Sequence, residues 1–441
     1  MAKEKENEIM EKIVSLCKRR GFIFQGSEIY GGLSGTFDWG HFGVALKNNI
    51  KQAWWKKFVD GRRDMYGIDA AILMSSKVWE ASGHVAGFSD PMVECQKCKR
   101  RFRADQLDPN LQEICPECGG KLGEPKQFNM MFQTKVGAVE DSSSVAYLRP
   151  ETAQGIFVNF KNTVDAFHPK LPFGMAQIGK AFRNEITPRD FIFRQREFEQ
   201  MEIEYFIRET DWEKYFEYWK EQMSAWMEEC GFDMTKIHEL EVAPEDLAHY
   251  SKRTVDFEFD YPFGRKELFG LAYRGSFDLS NHKLEYVDEE NSDPSTGSGQ
   301  GKMVPHVIEP TFGVDRAMLA ILLSAYNEED PERPFLKFKP SMAPVICAVS
   351  PLLKNKPELV EYANVKVFAP LKEEFGRIAW DDNGNIGKRY RRQDEIGTPW
   401  CIVVDFDTLT DDTVTVRDRD TGEQERVKVS DLVSYIKEKL N

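Results

Sequence analysis

The chain has 441 residues, with 59 Lys and Arg against 73 Asp and Glu, so its formal net charge is −14. Hydrophobic residues make up 41% and charged residues 30%, a globular balance that argues against disorder. At about 150 residues per domain the length suggests roughly three domains. The acidic sum argues against a generally sticky, histone-like binder but leaves local basic patches open.

In chain order, the opening stretch MAKEKENEIM has no apolar signal core, so a cleaved secretion signal is not expected and cytoplasmic location is. Residues 4 to 20 read as a helix, with Ile9, Ile13, Leu16 and Cys17 on one stripe and Gly21 as its stop. Residues 43 to 60 read as a second helix, where Ile50, Trp54 and Phe58 recur at four-residue spacing. Residues 175 to 206 predict two strands joined around Thr187-Pro188-Arg189-Asp190, and 211 to 230 predict a Trp- and Tyr-rich amphipathic helix. The acidic, then Gly/Ser-rich stretch 288 to 303 reads as a mobile loop, and 313 to 325 as an apolar helix. Prolines at 331, 334, 340 and 344 mark a linker. Beyond it, 345 to 350, 365 to 369 and 400 to 405 read as short apolar strands alternating with helices, a separate α/β domain of about 100 residues. No run of about 18 apolar residues occurs, so no membrane span is expected.

Four of the eight cysteines, Cys17, Cys230, Cys347 and Cys401, stand alone and read as buried small hydrophobes. The others, Cys95, Cys98, Cys115 and Cys118, form C-x2-C-x16-C-x2-C, the spacing of a four-thiolate zinc site. Two disulfides or free buried thiols are the alternatives, and a reducing compartment disfavours the disulfides. Four cysteines close the coordination shell, so the ion is expected to be structural. Lys97, Lys99, Arg100, Arg101 and Arg103 make the knuckle basic, which suits either a solvated face or a phosphate contact.

The predicted strand pair carries the chemistry. Alternation puts Arg194, Arg196, Phe198, Gln200, Glu202 and Glu204 on one face, and Met201, Ile203 and Tyr205 on the core face. Arg183 and Glu185 share a face on the partner strand. Cross-strand ion pairs would explain the charges but not the inserted Phe198. Arginines beside an aromatic shelf suit a nucleotide, with the ring stacking and guanidiniums holding phosphates. No Walker loop or G-x-G-x-x-G is present, so a nucleotide would lie on an open sheet.

Within this stretch FRNEITPRDFIFRQREFEQMEIEYF resembles motif 2 of class II aminoacyl-tRNA synthetases. EPTFGVDRAMLAIL (309–322) resembles motif 3, and GVALKNNIKQAWWKKFV followed by DAAILM resembles motif 1. YGGLSGTFDWGHFG, RPETAQGIF and KELFGLAYRGSFDLSNH narrow the resemblance to glycyl-tRNA synthetases of the homodimeric type. The resemblance implies an α+β class II catalytic core, an antiparallel sheet flanked by helices, over 1–340, with motif 1 near 43–77, motif 2 near 175–206 and motif 3 near 304–325. It also implies a zinc-knuckle insertion at 93–121 and a C-terminal α/β anticodon-binding domain at 341–441.

It implies glycine–tRNA ligase activity, with ATP and Mg2+, glycine and its tRNA as substrates and partners, and a homodimer through motif 1. On this reading Arg183, Glu185 and Arg316 are catalytic. Arg183, Asn184, Glu185, Phe193, Arg194, Phe198, Glu267, Leu268, Gly313 and Arg316 bind ATP. Arg103, Glu151, Phe198, Glu202, Glu309, Thr311 and Gly313 surround glycine. Several carboxylates around one point repel one another and prime an empty site for an ammonium. Thr311 stands where many relatives have Ser, which brings a methyl into the pocket. Arg265 and Tyr273 to Ser276 also depart from the usual surroundings of Glu267. The aromatic weight of Trp54, Trp55 and Phe58 favours the dimer. In the C-terminal domain Lys388, Arg389, Arg391 and Arg392 around Tyr390 suit an unstacked RNA loop. A non-catalytic, nucleic-acid-binding accessory protein is the alternative. It would be expected to lose the arginines and carboxylates that this chain keeps.

Overall fold

A computed structural model describes residues 2–108, 113–138, 145–288 and 301–440. Its centre is a seven-stranded sheet in the order Ile237–Glu241, Arg253–Tyr261, Gly264–Gly275, His306–Gly313, Glu197–Ile207, Phe173–Phe182, Met65–Gly67. All neighbours are antiparallel except the edge strand Met65–Gly67, which runs parallel to Phe173–Phe182. The predicted strand pair is in place, with Ala181 opposite Phe198 and Gln177 opposite Glu202.

Met201, Ile203 and Tyr205 are buried as alternation requires. Three helices cover that face: His41–Trp55, continued by a π turn Lys56–Asp60; Trp212–Cys230; and Val314–Ala325. Each presents an apolar stripe at helical spacing. Gly231, at φ +84°, stops the second in a conformation open to glycine. Trp54 and Phe58 are fully buried, and both rings meet Phe312 of the sheet, at 6.0 and 5.6 Å. Their aromatic weight is therefore spent inside the protomer and gives no support to a dimer contact.

Two sequence expectations need correction here. Residues 331–344 are no loose linker: a hairpin pairs Tyr326–Asn327 with Phe335–Leu336, and Leu336, Phe338, Met342 and Ala343 are buried in the main core. Residues 365–369 are not a strand. Helix runs from Pro357 to Phe375 with a π turn at Ala363–Phe368, and Leu359, Ala363, Val367 and Leu371 form its buried stripe. A five-residue stretch with four apolar side chains fits either period, and here packing at four-residue spacing decided. The third parallel strand is Ile378–Trp380. It joins Cys347–Pro351, Trp400–Val404, Thr413–Asp418 and Gln424–Lys428 in a five-stranded mixed sheet. Of the expected loop at 288–303, residues 289–300 lie outside the described residues. Its flanks Tyr286–Val287 and Lys302–Met303 pair as strands.

The helix Ile386–Ile396 ties the C-terminal sheet to the rest. Buried Glu395 accepts from Arg19 and Arg20 of the first helix and from Arg391. Buried Asp394 bridges Arg333 at 3.0 Å and Arg417 at 2.9 Å. No helix among the described residues is long and apolar enough to cross a membrane.

Candidate active site

The face of the sheet opposite the three helices opens into a cavity of about 370 Å³. Register explains the opening. Glu202 lies opposite Thr311, Thr311 opposite Gly270, and Glu309 opposite Ala272. Gly270 and Ala272 leave room where larger side chains would fill the sheet; a Cβ at Gly270 would meet only Asp256 Oδ1, at 3.8 Å. The walls divide by charge.

One end is basic and aromatic. Arg183 donates Nε–H to the Pro150 carbonyl at 3.0 Å, and its guanidinium lies 5.3 Å from the Phe198 ring. Arg194 pairs with Glu185 at 3.2 Å. Arg316, in the first turn of Val314–Ala325, stacks 4.4 Å from Phe193 and pairs with Glu267 at 3.1 Å. Arg316 outweighs burial and holds the Glu267 carboxyl below its usual range. Burial, with Glu267 and Glu258 nearby, pushes Asp256 up to about 7. Leu268 and Gly313 complete this wall.

The other end is acidic. Glu151, Glu202 and Glu309, from three separate segments, line the cavity and are nearly fully buried. Burial raises Glu202, and Glu309 and Glu151 raise it further, to about 8. Burial likewise lifts Glu309 to about 7, against the pull of Arg274. Burial would also raise Glu151, but His84, Arg274 and Arg183 outweigh it and hold that carboxyl low. Glu204, one step along the strand from Glu202, is fully buried with both oxygens unpaired among the described residues, and burial raises its carboxyl well above the usual range.

Behind these acids is a layer that sequence reading did not find. Thr152 donates its backbone N–H (2.9 Å) and hydroxyl to Glu202, and Gln200 donates to the other oxygen at 3.0 Å. Arg274, 1% exposed, holds Glu309 at 2.9 Å and Asp278 at 2.7 Å under the Tyr250 ring. Gln154 links Glu151 to Asp278. Thr152, Gln154, Arg274 and Asp278 all lay within the recognised strings. Arg274–Asp278 and Gln154–Glu151 are local pairs, but the links to Glu202, Glu309 and from Gln154 to Asp278 span 50, 35 and 124 residues, which no local pattern shows.

Of the residues expected from the sequence, Arg183, Glu185, Phe193, Arg194, Phe198, Glu267, Leu268, Gly313, Arg316, Glu151, Glu202, Glu309 and Thr311 all line this cavity. Asn184 and Arg103 do not. Asn184 gives its backbone N–H to Met130 O. Arg103 is held in ion pairs with Asp90 and Asp105, each at 2.7 Å, beside the cavity residue Glu185.

In the C-terminal helix the expected RNA cluster splits. Arg389 is 3% exposed and donates to the carbonyls of Pro351, Asp382 and Gly384, so it is a structural brace and no RNA contact. Tyr390 lies under Arg417. Arg391 is turned to Glu395, and Arg392 to Asp381. Lys388 is exposed.

The four cysteine sulfurs converge within 4.8 Å of one another. Cys95 and Cys118 lie 3.5 Å apart, Cys98 and Cys115 3.7 Å. A tetrahedral zinc with bonds of about 2.3 Å separates its sulfurs by roughly 3.8 Å, so the cluster fits that ion. The knuckle leans on the turn of the motif 2 strand pair: Thr187 donates to Arg101 O at 3.3 Å, and Arg189 to Gln106 at 2.9 Å.

Comparison with known proteins agrees with this architecture. Residues 137–325 match the tRNA synthetase class II core domain (G, H, P, S and T), and 346–439 match the anticodon binding domain. The fold is that of a class II aminoacyl-tRNA synthetase. The chain is 48% identical to a glycine–tRNA ligase of Treponema denticola, over 98% of this chain and 97% of that one. It is 49% identical to one of Alkaliphilus oremlandii over the whole of both, and 48% identical to one of Deinococcus radiodurans over 98% and 99%. The chain belongs to the glycine–tRNA ligase family.

Proposed function

We propose that the cavity joins glycine to ATP and then passes glycine to the 3′ end of its tRNA. The observation that carries this is one cavity with three arginines and a phenyl shelf at one end and three converging glutamates at the other. The arginines hold the phosphates, Glu185 reaches the adenine amino group and Phe198 stacks on the ring. Glu151, Glu202 and Glu309 take the ammonium. Glycine's carboxylate oxygen attacks the α-phosphorus and pyrophosphate leaves. A terminal ribose hydroxyl of the tRNA then attacks the carbonyl and AMP leaves. The first attack needs no general base, because the nucleophile is already ionised. Alignment and fixed positive charge supply the catalysis, and guanidinium holds its charge throughout.

Asp256 and Glu267 offer the hard oxygen donors that suit magnesium, which neutralises phosphate charge when bound with ATP. The four-cysteine cluster takes a structural zinc. The domain limits 1–340, 93–121 and 341–441 follow the same reading, as does cytoplasmic location. A homodimer through the motif 1 region is supported by the short edge strand Met65–Gly67 and by exposed Ile72 and Leu73 just after it. The accessory reading is disfavoured, because the arginines and acids are present and face one space.

ATP–pyrophosphate exchange with glycine, alanine and serine tests the proposal. Exchange with glycine alone is expected; none at all, or equal exchange with alanine, would overturn it.

A further inference from the structure

Behind Glu151 lies a group of side chains with no role in the reaction as described. The backbone passes from the helix Ser76–Ala81 through Ser82 and Gly83 into the short helix His84–Gly87. His84 is 5% exposed. Its Nε2 lies 3.2 Å from Glu151 Oε2 and its Nδ1 2.8 Å from Ser82 Oγ. Ser82 Oγ also reaches the Trp79 carbonyl at 3.3 Å. The imidazole is wedged between Trp79, edge-on at 5.5 Å, and Phe88 at 5.3 Å.

These contacts determine what the ring does. An ionised carboxylate only accepts, so Nε2 carries the hydrogen and donates it. A hydroxyl both donates and accepts, so Ser82 satisfies Nδ1 whether or not that atom is protonated. The two flanking rings leave the imidazole little freedom to turn. Gln154 Nε2 meets the other Glu151 oxygen at 3.2 Å. Each oxygen is thus tethered from behind by a buried donor.

We infer that His84 is a positioning residue of the glycine corner: it donates Nε2–H to Glu151 and, set in place by Ser82, orients that carboxylate toward the substrate's ammonium. The inference rests on the glycine reading of the cavity. It gives Glu151 a defined orientation before substrate arrives, which a freely rotating carboxylate would have to acquire on binding.

Glycine-dependent exchange with two variants tests it. His84→Phe keeps a ring between Trp79 and Phe88 but removes the donor. His84→Gln places an amide N–H near the Nε2 position. His84→Phe is expected to raise the glycine KM roughly tenfold or more, the effect of one hydrogen bond to a charged group, and to leave the ATP KM within about twofold. His84→Gln is expected to recover most of the loss. Should His84→Phe fail to fold, His84→Asn takes its place, since its amide reaches only the Nδ1 position and must raise the glycine KM where His84→Gln does not. A wild-type glycine KM in the donor-free variant, or equal rises for glycine and ATP, overturns the inference. Wild-type protein without glycine-dependent exchange would instead overturn the glycine reading itself.

Discussion

The arginines around the cavity and those of the helix Ile386–Ile396 come from stretches that look alike in sequence, each mixing several cations with an aromatic. In the fold they do opposite things. Arg183 uses only its Nε–H in hydrogen bonds among the described residues, and with Arg194 and Arg316 it faces open volume. Arg389 is enclosed by three carbonyls, while Arg391 and Arg392 are turned back on Glu395 and Asp381. Arg194 and Arg316 have carboxylate partners too, Glu185 and Glu267, so an ion pair alone does not mark a brace. What separates the two sets is that the first also borders the cavity, its destination in the fold. Composition cannot supply that destination.

The sharpest way to break this contrast is to remove one member of each set. Arg316→Ala should lower exchange by roughly 10²- to 10³-fold, as the loss of a group stabilising developing charge does, with an unchanged thermal melt. Near-normal exchange would place Arg316 with the braces. Glu202 probes the opposite end of the cavity through pH. Its carboxyl is raised to about 8, so the folded empty protein holds a proton there that the unfolded chain has lost. This costs stability progressively as pH climbs from the unfolded value, about 4.3, to about 8. Bound ammonium favours the ionised form, so glycine binding releases the proton. The glycine KM should therefore fall as pH rises from 6.5 to 8 and should lose part of that dependence in Glu202→Gln, the rest belonging to Glu309, raised to about 7; a flat wild-type profile would refute it. Arg389→Ala strands carbonyls and should cost about 1–3 kcal/mol in urea unfolding while leaving exchange per folded molecule intact. Lys388→Ala should act least, lowering the slope of log tRNA affinity against log salt by about one without changing stability.

Much of the cavity was legible because strand alternation is a local rule. It put Phe198, Gln200 and Glu202 on one face and Met201, Ile203 and Tyr205 on the other, and the structure has them so. The cysteine spacing was equally local. Arg274, His84 and Thr152 escaped notice because each acts through a residue distant in sequence, and a single buried Arg or His carries no periodic signal. Residues 365–369 misled for a related reason: a short apolar run takes its period from whatever packs against it. Trp54 and Phe58 had a clear helical spacing, but spacing does not say whether the buried stripe meets the same protomer or another.

Glu395 gathers Arg19, Arg20 and Arg391 on one buried carboxylate. Parting the first helix from the C-terminal sheet would strip two of the three cations from that carboxylate and leave it Arg391 alone, a destabilising loss at a buried charge. The two halves are thereby held like the jaws of a caliper locked at one setting, since neither shifts without moving a buried charge off its partners.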